Sequence, residues 1–128
     1  ALNKVEPKLS ICILGDSEGT QDFYIMPDFW ASSQDQLSTE SRKITVPVKL
    51  LNAELKASKA TFLIIDIEGG EYELLKAADL SQVQRIAIEI HHKLIGEVKT
   101  AEIIERLQKQ GFNLDKEIST KQEFFFAR

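Results

Sequence analysis

An α/β layered domain with a mostly parallel sheet is the fold class this sequence predicts, and three observations carry the prediction. Residues 62–67 form a continuous apolar run, the pattern of a parallel strand covered by helices on both faces. Strand-like and helix-period segments then alternate through the second half of the chain, the rhythm of strand–helix–strand units. A length of 128 residues suits one domain, long enough to bury most of its apolar surface.

Each element has its own justification. Residues 9–14 are an apolar strand that stops at Gly15-Asp16, and residues 21–26 are a second, stopped by Pro27; Asp16-Ser-Glu-Gly19 between them is a tight turn. Residues 28–42, rich in Ser, Gln, Asp and Thr around Phe29 and Trp30, form a long surface loop of the kind that covers a site. Residues 44–50 have strand composition, and Pro47, which has no backbone N–H, places them at a sheet edge. A short helix follows over 51–58. After strand 62–67, a helix over 71–78 presents Tyr72 and Leu75 on one face, with Leu74 and Ala78 beside it. Strand 85–90 leads to a helix over 101–110, with Thr100 as N-cap, Ile103, Ile104 and Leu107 as its apolar stripe, and Gly111 as its stop signal. Residues 112–118 and 123–127 close the chain as an antiparallel pair. No internal repeat or low-complexity segment is present.

Composition excludes several function classes. Acidic residues outnumber basic ones by 20 to 16 and the bases are scattered, so no dense positive patch would attract nucleic acid. No apolar run approaches the roughly 20 residues a membrane helix needs, and residues 1–7 lack the basic-then-apolar pattern of a signal peptide. The single cysteine, Cys12, can form no intramolecular disulfide and reads as a small core residue. These features together predict a cytoplasmic protein.

The apolar run 62–67 ends in acid, and the reason lies in where that end falls. Ligands of open α/β sheets bind outside the carboxyl ends of the strands. Asp66 and Glu68, two apart, point to the same side at such an end; Glu89 and His91 do so at the end of strand 85–90. Parallel pairing of the two strands would gather all four side chains at one rim, beside a helix N-terminus. A carboxylate such as Asp66, closing an apolar strand, must be paired, coordinated or at the mouth of a site. Glu71, by contrast, reads as a favourable charge at the positive end of a helix, and Gly69-Gly70 as permissive turn backbone. Asp, Glu and His can hold a metal, but no ligand spacing demands one and none is expected; metal-dependent thermal stabilisation would reveal a divalent ion at the rim.

These residues resemble a known family. Ile65-Asp-Ile-Glu-Gly-Gly-Glu-Tyr-Glu-Leu-Leu-Lys-Ala77, then Ile88-Glu-Ile-His91, then a helix ending in Gly111-Phe112, closely resembles the C-terminal part of the FkbM-type methyltransferases. Leu14-Gly-Asp16 with Gly19 and Phe23-Tyr24, Ala31-Ser-Ser33 and Val46-Pro-Val-Lys-Leu50 support the likeness along nearly the whole chain. The resemblance implies a Rossmann-like class I methyltransferase fold, S-adenosylmethionine as cofactor, and methylation of a hydroxyl on a sugar or other small molecule. It further implies that Glu68 or His91 is the base, that Asp66 orients the acceptor or the cofactor's ammonium group, and that Asp16 approaches the adenine.

Two departures from the family pattern stand out. Asn52 occupies a position where the family usually has Asp. Within the 128 residues there is also no glycine-rich strand–loop–helix to receive the methionine part of the cofactor, and Ala1-Leu-Asn3 looks like the tail of a helix that would follow it. The fold expected over residues 1–128 is therefore an incomplete methyltransferase domain, a mostly parallel sheet with a C-terminal antiparallel pair. The chain as given is expected not to catalyse on its own, and the rival reading is a non-catalytic binding or assembly module on the same scaffold. A missing first strand would leave the edge of strand 62–67 bare, an aggregation hazard. That edge is expected to be covered by strand 9–14 or by a second copy of the chain.

Overall fold

The structure, a computed structural model, describes Lys4, residues 6–25 and residues 42–128. The long loop expected from residue 28, its serine pair at 32–33 and the helix tail at 1–3 lie outside the described residues.

The described chain is mixed α/β, with two small sheets. Strands β1 (Ile13–Gly15), β2 (Gly19–Ile25) and β3 (Arg42–Leu50) form the first, in the order β1-β3-β2. Helix α1 (Leu51–Ser58) leads to the second part, made of β4 (Phe62–Ile65), α2 (Glu71–Lys76), β5 (Arg85–Glu89), α3 (His92–Ile95), α4 (Glu97–Lys109), β6 (Asn113–Leu114) and β7 (Glu123–Ala127). Its sheet has the order β4-β5-β7-β6. The β4–β5 pair is parallel, with Leu63 opposite Ile86 and Ile65 opposite Ile88, as the α2 crossover between them requires. Strand β7 runs antiparallel to β5 and to β6. Among the described residues the expected C-terminal antiparallel pair is present, and the two sheets are mixed, not mostly parallel. Among the described residues parallel pairing is confined to β1–β3 and β4–β5; β2 pairs antiparallel with β3, and β7, which follows β6 as a hairpin partner, runs antiparallel to both β6 and β5.

Most of the buried core lies against the second sheet. Leu75, Leu80, Val83, Ile86, Ile88, Ile90, Ile103, Leu107, Phe112 and Phe126 are all buried in one cluster between that sheet and helices α2 and α4. Helix α4 contributes Ile103 and Leu107 inward while Glu105 and Lys109 pair on its outer face at 2.7 Å. It ends at Gly111, whose φ of +89° is a left-handed conformation, and Phe112 N donates to the Leu107 carbonyl at 3.1 Å. The C-terminal Arg128 locks the cluster from outside. Its guanidinium donates to the carbonyls of Val83 (2.8 Å), Gln110 (2.9 Å) and Leu80, and stacks on the Phe112 ring at 4.5 Å. Arg128→Met keeps an apolar stem but removes these charge-assisted bonds. It is expected to cost about 2 kcal/mol, read as a lowered midpoint in urea unfolding; an unchanged midpoint would show that the clamp does not form in solution.

Several expectations require correction. Strand β3 lies at the centre of its sheet and not at an edge, with Pro47 opposite Thr20 of β2. Proline is tolerated because β1 pairs with β3 only from Val48 onward, so the β1 side of the strand is still open at Pro47. Strand β1 pairs with β3 and does not cover β4. Among the described residues, β4 therefore has an unpaired edge, and its run is not covered on both faces: Phe62 is 51% and Ile64 76% exposed. The strand expected over 9–14 is regular only at Ile13–Gly15, Leu9 and Ile11 are exposed, and Cys12 is half-buried and no core residue. Thr100 is not an N-cap. Helix α4 begins three residues earlier, at Glu97 after Gly96, and the Thr100 hydroxyl donates to the Gly96 carbonyl at 3.0 Å from inside the first turns. Among the described residues, no helix is long and apolar enough to cross a membrane.

Candidate functional site

Parallel pairing of β4 and β5 brings their carboxyl ends side by side, and the residues that follow them converge. Asp66 comes directly after β4, Glu89 ends β5, and His91 lies two residues on, at the start of α3. The Asp66 and Glu89 carboxylates and the His91 imidazole offer atoms that all lie within 4.8 Å of one another. His91 Nε2 is 3.3 Å from Glu68 Oε2 and 3.8 Å from Glu89 Oε1. The rim expected from strand spacing is thus assembled, with Asp66, Glu68, Glu89 and His91 at one place.

Sequence reasoning missed the fifth member. Glu71 is not a solvated charge at a helix end: its side chain is fully buried, and its Oε1 meets His91 Nδ1 at 2.5 Å. Its other oxygen, Oε2, is buried without a partner. The turn before α2 makes this possible. Gly69 has φ +88°, where a side chain would be strained, and its N–H donates to Glu71 Oε1 at 3.3 Å. A hint was available in the sequence, since Glu71 falls three residues after Glu68 across a glycine pair, the spacing that turns a strand end into the first turn of a helix.

The electrostatics follow from this geometry. Burial alone would pull the His91 imidazolium down, but the Glu71 hydrogen bond and the charges of Glu68, Glu71 and Glu89 outweigh it and hold His91 above its ordinary pKa. With Nδ1 given to Glu71, the ring is held in one orientation and Nε2 faces the carboxylates of Glu68, exposed, and Glu89, half-buried. The imidazole side chain is only 13% exposed, so the group is anchored yet open at its outer nitrogen. Such an arrangement can accept a proton, orient a hydroxyl or bind a cation.

Asp16 is not part of this rim. It follows β1 and lines a separate pocket of about 230 Å³ whose walls include Leu50, Leu74 and Ala77. Helix α2 borders both places, since it begins with Glu71 and also supplies Leu74 to the pocket. Asn52, at the same pocket, is spent on structure: its Nδ2 donates to the Ala77 carbonyl at 3.0 Å and its Oδ1 accepts from Asp79 N at 2.8 Å. An aspartate could not make the first of these bonds, which gives the asparagine a physical reason. A larger depression of about 500 Å³ beside α1, lined by Lys56, Asp79 and Gln82 among others, shares no residue with the rim.

Comparison with known proteins bears on what such a rim is for. Searches among curated proteins and among solved structures find no match. Residues 1–114 match the methyltransferase FkbM domain, a span that includes both strand ends, the glycine turn, α2 and α4. This chain belongs to the FkbM methyltransferase family.

Proposed function

We propose that residues 1–128 act as a single unit of an S-adenosylmethionine-dependent O-methyltransferase that modifies a hydroxyl of a sugar or other small molecule. The observation that carries this reading is the convergence of Asp66, Glu68, Glu89 and the Glu71-anchored His91 at the ends of two parallel strands, in a chain of a methyltransferase family. The parallel β4–β5 pair with the reversed β7 beside it is read as the carboxyl-terminal half of a Rossmann-like class I sheet.

The residues present suit part of the cofactor. A pocket whose lining is largely apolar but includes two carboxylates, Asp16 and Glu73, suits a flat purine, whose exocyclic amino group would donate to Asp16. Asp66, exposed at the rim, would hold the ammonium group or the acceptor. When bound, S-adenosylmethionine supplies a methyl group activated by its sulfonium. The chain's own task is to place the acceptor oxygen in line and to take its proton. His91 Nε2 and Glu68 are the atoms positioned for that proton, and the Glu71 contact keeps the imidazole from turning away.

A second reading is favoured by the open edge of β4 with exposed Phe62 and Ile64: a non-catalytic module that assembles with another copy through this edge. Calorimetric titration of the folded chain with S-adenosylhomocysteine, combined with light scattering, separates the two. Micromolar binding is the expected result and supports the enzyme reading. No binding at millimolar ligand, with a concentration-dependent dimer, would replace it with the assembly module. Neither reading includes nucleic acid or membrane as a partner, and both are set in the cytoplasm.

A further inference from the structure

Helix α2 is too short to hold its own buried acid. It has six residues, and the first, Glu71, is fully enclosed, with Oε1 on His91 Nδ1 and Oε2 without a hydrogen-bond partner. A helix of this length is not stable by itself, and an enclosed carboxylate oxygen without a partner favours release of the turn into water. Something outside α2 must keep Glu71 in place.

The grip comes from α4, through Tyr72. This half-buried side chain follows Glu71 directly, and its hydroxyl donates to Glu102 Oε2 at 2.6 Å. The Lys99 ammonium lies 5.0 Å and the Arg106 guanidinium 5.4 Å from the centre of its ring. Lys99, Glu102 and Arg106 are spaced three and four apart, so they line one face of α4 and close on a single ring. The Glu102 bond, with burial, pushes the Tyr72 phenol above its usual range, which keeps it a donor. Helix α4 also follows α3 directly, through Gly96, and His91 is the residue that opens α3. One helix therefore supports both halves of the Glu71–His91 contact.

We propose that Tyr72 and Glu102 are positioning residues for the His91 imidazole: their hydrogen bond pins the first turn of α2 to α4 and so keeps the Glu71 carboxylate on Nδ1. They act through Glu71 and take no part in proton transfer themselves. The tie needs no methyl acceptor; only its consequence for turnover rests on the reading of His91 as the base.

The test is nuclear magnetic resonance of the imidazole nitrogens in the folded chain, compared with Tyr72→Phe. This change removes one oxygen and no charge, and it keeps the ring beneath both cations. The Nδ1 proton of His91 is expected to exchange with water at least about 10-fold faster, the scale of one lost charge-assisted hydrogen bond read through local opening. The His91 titration should also move down toward its ordinary range, because Glu71 leaves while Asp66, Glu68 and Glu89 remain around the ring. Glu102→Ala should speed the same exchange. Glu105→Gln, which breaks the exposed pair with Lys109 on the outer face of α4, should leave His91 unchanged, and His92 serves as the internal reference. Unchanged exchange or an unmoved titration in the folded Tyr72→Phe chain would overturn the proposal. An equal change in Glu105→Gln would do the same, by marking a general loss of stability. No cofactor enters this measurement, so its failure is distinct from failure of the S-adenosylhomocysteine titration.

Discussion

His91→Ala is expected to lower methyl-transfer turnover by at least about 100-fold in the assembly that binds S-adenosylmethionine, the usual scale of a general-base contribution. The side chain supplies the imidazole of the rim and is held by Glu71 at 2.5 Å on one side with Glu68 at 3.3 Å on the other. Removing it leaves no group in that position to take the proton. The same substitution also strands the buried Glu71 carboxylate, so a melting curve must accompany the assay. Asp66→Asn provides the cleaner comparison because Asp66 is exposed, and a loss of similar size is expected there. Full turnover in either folded variant would remove that residue from the chemistry.

Phe126→Ala is expected to destabilise the fold by about 3–5 kcal/mol, the range for emptying a large core site. Phe126 is 2% exposed and sits opposite Ile86 of β5 on one side and Leu114 of β6 on the other. Its ring belongs to the buried cluster on one face of the second sheet, and its strand is hydrogen-bonded to a neighbour on each side. Against a total stability of about 5–15 kcal/mol, that loss would leave much of the population unfolded in modest denaturant. Urea unfolding with an unchanged slope and a strongly lowered midpoint is the expected signature. Phe62→Ala, at the open face of β4, should cost far less. A loss below about 1 kcal/mol for Phe126→Ala would mean that β7 is not the centre of the core.

Legibility varied with how local the governing interaction was. Helix α1 over 51–58, the parallel β4–β5 pair and the Gly111 stop follow from propensity, periodicity and turn chemistry, and they were read correctly. The rim was legible for the same reason, because residues two apart at a strand end share a side. Errors arose where a distant segment decides. Pro47 argued for an edge strand, yet the position is central because β1 joins only one residue later. The uniform apolar run 62–67 argued for cover on both faces, yet Phe62 and Ile64 face outward. Thr100 has the side chain of a cap, but Gly96 starts the helix earlier and Thr100 is buried against it.

The sequence alone specified the kind of most elements, the limits of α1 and β7, the family they resemble and the acids that close β4 and β5. These depend on side-chain period, backbone restrictions and short spacings, all of which are written along the chain. Only the tertiary structure decided that Glu71 turns inward to His91, that Asp16 belongs to a different pocket from the rim, and that β1 joins β3 instead of covering β4. Each of those outcomes depends on contacts between segments far apart in sequence, where burial and charge balance, not local preference, choose the partner.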